Sequence, residues 1–260
     1  MRMSRFGLAT AMLATAACLA MPALAADLYG GSIKDAPVAM ASPHHCYFRG
    51  DLGYSWSRDP SVKFTQTGAA GFITDSVTNT SLDNTWIGGL GVGCGSGVRG
   101  IRGELMFDWH GDRDLRGTLA APLGGTLSSS VRSYTLMFNG YYDLGRFDRW
   151  TPYIGAGVGV AHNDLDSVTF TALPNTLLGG DRWSLAWSLM AGVGVQVTDR
   201  ITLDIGYRYI DMGKVNSSTV DNTGFAANAP VRVDDLTAHE FKVGLRFAFG
   251  GGAPCCDMMK

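Results

Sequence analysis

His110 follows Asp108 by two residues and precedes Asp112 and Asp114 in the run DWHGDRD. An Asp/His group of this kind can activate a water or hold a cation. The plainer expectation is a polar rim grading into a charged loop. His162 precedes Asn163 and Asp164 with no serine at nucleophile spacing, His239 shares the parity of Phe241, and His44-His45 stand together in an irregular segment. The glycine runs lack the following helix that a phosphate-binding loop needs. No catalytic, cofactor-binding or metal-ligating set is therefore expected, and the chain is not expected to be an enzyme.

The cysteines carry a sharper expectation. Cys46 opens one alternating run and Cys94 closes the next, with the same parity. An antiparallel pairing of the two runs sets them opposite each other, within bonding reach, which predicts a Cys46–Cys94 disulfide. Cys255-Cys256 lie on a tail and are open to pairing with a partner chain or cofactor, or to none.

These groups must be positioned by strands. HCYFRGDLGYSWSR, residues 45–58, alternates Phe48, Leu52, Tyr54 and Trp56 with Arg49, Asp51, Ser55 and Ser57. A strict period of two gives a strand one apolar and one polar face. Seven further runs do the same: NTWIGGLGVGC, VRGIRGELMFDWH, VRSYTLMFNGYYDLG, TPYIGAGVGVAHN, WSLAWSLMAGVGVQV, ITLDIGYRYID and LTAHEFKVGLRFAF. About ten residues each suits a tilted strand crossing a bilayer. Their connections alternate between long segments rich in Ser, Thr, Asn, Asp and Gly and the tight GSG, GRFDRW and TDR. An up-and-down outer-membrane barrel sorts its connections this way, short in the periplasm and long outside, whereas a soluble sandwich has no reason to.

The faces decide between lipid and water. On the polar side lie Arg49, Arg102, Arg208, Lys242 and Arg246 with Asp51, Glu104, Asp108, Asp204 and Glu240, as many positives as negatives. A narrow lumen requires that balance, because an unpaired buried ion costs several kcal/mol. On the apolar side, Trp56, Trp86, Trp109, Tyr134, Trp183 and Tyr209 fall at the long-connection end, and Phe48, Tyr142, Phe247 and Phe249 at the other. Rings seated at two membrane interfaces make such belts. A lipocalin-like soluble barrel would leave the Arg/Asp/Gly face in water and give the belts no purpose. The charged fraction, 17%, is also low against the ~25% ordinary for soluble domains.

The N-terminus agrees. Arg2 and Arg5, the apolar GLATAMLATAACLA, Pro22 and Ala23-Leu24-Ala25 make a signal peptide over 1–25. A periplasmic leader arm is expected over 26–45, the barrel over 46–249 and a tail over 250–260. Losing Arg2 and Arg5 takes the net charge from −2 to −4, so nothing suggests a nucleic-acid surface.

CYFRGDLGYSW, WTPYIGAGVGVAHN, ITLDIGYRYIDMG and HEFKVGLRFAF resemble the small eight-stranded outer-membrane barrels of Gram-negative bacteria, the OmpA/OmpX-like and opacity-type porin family. The resemblance covers the strands from Cys46 to Phe249 and not the loops. It implies an all-β, eight-stranded antiparallel up-and-down transmembrane barrel in the cell outer membrane, embedded in lipid and lipopolysaccharide. It also implies a terminal aromatic read by the outer-membrane assembly machinery; Phe249 fits, but GGGAPCCDMMK follows it. The expected function is structural and interactive, with loops presented to host or surface ligands. A narrow porin for small solutes is the second reading and a lipid-directed hydrolase the third.

Overall fold

The computed structural model describes residues 45–68, 71–95, 100–119, 124–171, 176–220 and 230–249, without the side chains of 45, 65–68 and 71–76. The expected signal peptide, most of the leader arm, the tail and Cys255-Cys256 lie outside the described residues.

Period-two alternation becomes fourteen strands among the described residues: β1 (His45–Ser57), β2 (Ser61–Gly68), β3 (Gly71–Ser76), β4 (Thr78–Leu82), β5 (Thr85–Gly95), β6 (Gly100–Thr118), β7 (Thr126–Asp143), β8 (Trp150–Leu165), β9 (Thr169–Phe170), β10 (Gly180–Gln196), β11 (Ile201–Asp211), β12 (Val215–Asn216), β13 (Arg232–Asp234) and β14 (Thr237–Phe249). Eight of them, β1, β5, β6, β7, β8, β10, β11 and β14, pair antiparallel with their neighbours in chain order. The last pairs with the first, from Cys46 opposite Phe249 to Ser57 opposite Ala238, so the barrel closes. Closure leaves no sheet edge in the wall, the condition for a β-structure to cross hydrocarbon.

The outer face is apolar and bare: Leu52, Leu90, Ile101, Phe138, Leu185 and Leu189 are all exposed. In water such a surface would be a liability; against acyl chains it is the stabilising one. The membrane fits this wall because its charges point inward.

Two features depart from the expected strands. Four of them are longer than a bilayer requires: β6, β7, β8 and β10 run 19, 18, 16 and 17 residues. Their outer parts continue past the aromatic belt. A bulge between His110 and Arg113 also shifts the β6–β7 register. Both His110 and Gly111 face inward there, and parity inverts beyond them.

The long connections are not loose polar loops. β2 and β3 from the first and β12 and β13 from the last join as one four-stranded sheet, ordered β12-β13-β2-β3. β4 adds to the outer part of β6, and β9 to that of β7. The third connection reaches the fourth through Leu178 N–H to Val220 O, 3.0 Å, and Ser218 N–H to Leu178 O, 3.0 Å. Short alternating runs build this cap: Val62 and Phe64 point in while Lys63 points out, and Val233 points in while Arg232 points out. Val62, Phe64, Leu115, Leu127, Val168, Phe170, Val215 and Val233 share one buried apolar cluster. Phe64 and Phe170, from the first and third connections, lie 5.2 Å apart between ring centroids.

Candidate functional site

The ten expected lumen charges lie inside the barrel, and each has an ionic partner. Glu240 Oε2 accepts from Arg208 Nε at 2.5 Å, Arg208 Nη1 donates to Asp108 at 2.6 Å, and Lys242 lies 2.7 Å from Asp108 and 3.1 Å from Asp51. Asp51 then takes Arg49 Nε at 2.8 Å. Arg49 reaches Glu104 at 3.4 Å and Asp204 at 3.1 Å, and Arg246 reaches Asp204 at 2.8 Å. Arg102 pairs instead with Asp143, at 3.0 Å. The network runs from strand to strand with few gaps in pairing, the condition for tolerating so many buried ions.

Several members lie beyond the ten charges that the alternation marks. Tyr47 donates to Glu104 at 3.0 Å and accepts from Arg102 at 3.1 Å; Tyr153 donates to Asp204 at 2.5 Å. Asp143 supplies Arg102 with its acid. All three share the parity of known lumen residues, so the signal was present: Tyr47 stands two before Arg49, and Asp143 two after Tyr141. Glycine on the inward face makes the room. A Cβ at Gly244 would land on the Asp51 carboxylate, its register partner, and one at Gly157 on the Asn139 amide.

Asp108, His110, Asp112 and Asp114 do not converge on one site. His110 is fully buried with Nε2 2.7 Å from Glu240 Oε1. The bulge sends Asp112 and Asp114 outward, where they pair with Arg132 and Arg116. Ser133 sits opposite His110 in register, yet its hydroxyl donates to Asn163 at 2.7 Å and accepts from Arg113 at 2.6 Å. His110, Arg113, Ser133 and Asn163 are fully buried. His162 and His239 face outward: His162 stacks between Tyr134 and Trp183, and His239 Nδ1 meets the Tyr207 hydroxyl at 2.5 Å.

The lumen is full. At mid-height the space between Arg49, Glu104, Tyr141, Arg208 and Lys242 amounts to about 20 Å³, room for about one water. Above it Arg113, Ser133 and Asn163, whose amide donates to Met212 O at 2.8 Å, form a polar layer. Above that lies the apolar core of the cap.

At the inner end Cys46 and Cys94 stand opposite in register and are bonded, S–S 2.11 Å. Cys46 also faces Phe249 across the closing seam, and Phe249 stacks on Phe48 with centroids 4.4 Å apart. Phe48, Tyr142, Phe247 and Phe249 line the inner end of the outer face; Trp56, Trp86, Trp109, Trp183 and Tyr209 line its outer end.

Known proteins share this plan. Outer membrane protein PagN of Salmonella typhimurium is 33% identical over 159 residues, 57% of this chain and 65% of that protein. A Rickettsia bellii protein with adhesin in its name is 26% identical over 194 residues, 69% of this chain and 84% of that protein. The crystal structure of the outer membrane protein OprG from Pseudomonas aeruginosa superimposes with a TM-score of 0.50 at 16% identity, covering 81% of this chain and 98% of that one, a likeness of fold. The model of the outer membrane protein beta-barrel domain family matches residues 11–249. With a closed eight-stranded wall, an ionic interior and a lipid-facing exterior, the chain belongs to that family and resides in the outer membrane.

Proposed function

We propose that the protein is a closed structural barrel that holds a folded cap above the outer membrane for interaction with surfaces and ligands outside the cell. The observation that carries this reading is the cap itself. The first and last long connections join in one sheet, and described residues of all four share one apolar core. A pore would leave them apart to keep its mouth open. The filled lumen speaks against the porin reading, and the buried His110 against the hydrolase reading. The adhesin name of the Rickettsia bellii relative supports a surface role.

The outward face of the cap sheet carries a feature that invites a partner. Lys63 on β2 and Arg232 on β13 are directly opposite in register, both exposed, and neither has an acidic partner among the described residues. Like charges directly opposite destabilise a sheet, and an anionic ligand would relieve them. Display of the full chain on a non-adherent Gram-negative host tests the reading, using intact cells on glycan- and protein-coated surfaces. Attachment above an empty-vector control, lost on Lys63→Glu with Arg232→Glu, is expected. Attachment equal to the control on every surface overturns it.

A further inference from the structure

β10 outruns its neighbour. β11 ends at Asp211 opposite Trp187, while β10 continues outward to Gly180. The turn after β11 covers part of the gap. Ser184 Oγ donates to Lys214 O at 2.9 Å, and Asp211 Oδ1 accepts from Gly213 N–H at 2.8 Å. Gly213 adopts φ 76, and a Cβ there would strike Ser184, so glycine lets the turn lie flush on the strand. Beside it a cleft of about 570 Å³ opens in the wall.

The cleft joins two kinds of surface. Its membrane side is Trp183 and Leu185, 66% and 70% exposed, continuous with the lipid-facing wall. Its outer side holds Arg182 and Lys214, with Asp234 and Asp235 opposite. The Asn216 amide oxygen accepts from Arg182 at 3.0 Å while its nitrogen donates to Val215 O, which fixes the guanidinium. Among the described residues no ion pair joins these cations to the acids beside them, although Arg49, Arg102, Arg208, Lys242 and Arg246 in the lumen are each paired. Four charged side chains thus line one cleft without an ion pair among the described residues, above an apolar floor.

We propose that this cleft seats the phosphorylated sugar headgroup of an outer-leaflet glycolipid. Phosphate takes Arg182 and Lys214, as guanidinium and ammonium groups do. Sugar hydroxyls donate to the Asp234 and Asp235 carboxylates. His162 occupies one face of Trp183, with centroids 4.7 Å apart, and the ring's remaining surface is left for the sugar. Acyl chains continue along Leu185. A soluble anionic glycan would leave Leu185 uncovered, and a glycerophospholipid would bring few donors to the two carboxylates. The inference rests on the outward orientation of the long connections and is independent of what the cap binds.

The test uses the mature full-length protein in phosphatidylcholine nanodiscs, with native mass spectrometry reading retained lipid. The probes are bisphosphorylated lipid A, its dephosphorylated form, phosphatidylglycerol and the lipid-free phosphorylated disaccharide. One equivalent of bisphosphorylated lipid A is expected to remain bound in preference to the other three. Arg182→Gln with Lys214→Gln should weaken it by about tenfold or more, since hydrogen bonds to charged groups contribute ~1.5–3 kcal/mol each. Arg116→Gln with Arg132→Gln, which removes the same charge from exposed pairs elsewhere, should not. Heat-modifiable gel migration verifies folding, and Lys214→Gln and Asp234→Asn alone give the same reading should the double variant not fold. Undiminished retention in the cleft variants, equal retention of phosphatidylglycerol, or equal binding of the lipid-free disaccharide each overturns the proposal.

Discussion

Arg49 on β1 donates from Nη2 to Asp204 on β11 at 3.1 Å, joining residues 155 apart in sequence. In the wall β14 lies between these strands, so the pair passes behind it through the lumen. Asp204 also holds Arg246 at 2.8 Å and accepts from Tyr153. Asp204→Leu therefore leaves two buried arginines short of an acid. A loss of about 3–5 kcal/mol is expected, because removing one partner of a buried pair strands its charge. Denaturant unfolding in detergent micelles measures it, and a double variant with Arg246→Met, whose ionic partner is Asp204, should recover part of the loss. An unchanged midpoint in Asp204→Leu would mean the network contributes little.

The Cys46–Cys94 bond ties β1 to β5 at the inner end, closing 48 residues of sequence. A crosslink of this span typically stabilises by ~2–4 kcal/mol, largely through the unfolded chain. Cys46→Ser with Cys94→Ser should lower unfolding stability by that order and leave assembly into the membrane intact. Non-reducing digestion with mass spectrometry should recover the two cysteine peptides joined. Recovery of both as free thiols would contradict the bond.

The cap predicts resistance where polar loops would be trimmed. Lys63 and Arg232 are exposed, yet their backbones belong to paired strands. Trypsin on intact cells should leave both sites largely uncut. Val233→Asp puts a charge into the apolar cluster, where Val233 has no exposed surface, and should open them. Burying an unpaired charge costs far more than a short sheet gains. Rapid cutting at Lys63 and Arg232 in the unsubstituted protein would show that the cap is not folded on the cell.

The wall was legible because its cause is periodic. Each inward charge and outward aromatic is marked by parity, and parity survives any loop between strands. Asp112 and Asp114 turn outward because one inserted residue, the bulge at His110 and Gly111, inverts parity without leaving a compositional trace. The cap was hidden for a different reason. Its runs, such as Val62-Lys63-Phe64 and Val231-Arg232-Val233, are too short for a period to stand out from surrounding Ser, Thr, Asn and Gly. Only pairing between distant connections makes them strands. Tyr47 was missed because it adjoins Phe48; two aromatics in a row look alike until parity is read from Arg49.

We propose that ions and then hydrocarbon seal this barrel. Single-channel recording of the full-length protein in planar bilayers tests the seal most directly. Silence at neutral pH is expected of the unsubstituted protein. Steady open levels in most insertions would contradict it and return the barrel to the porins.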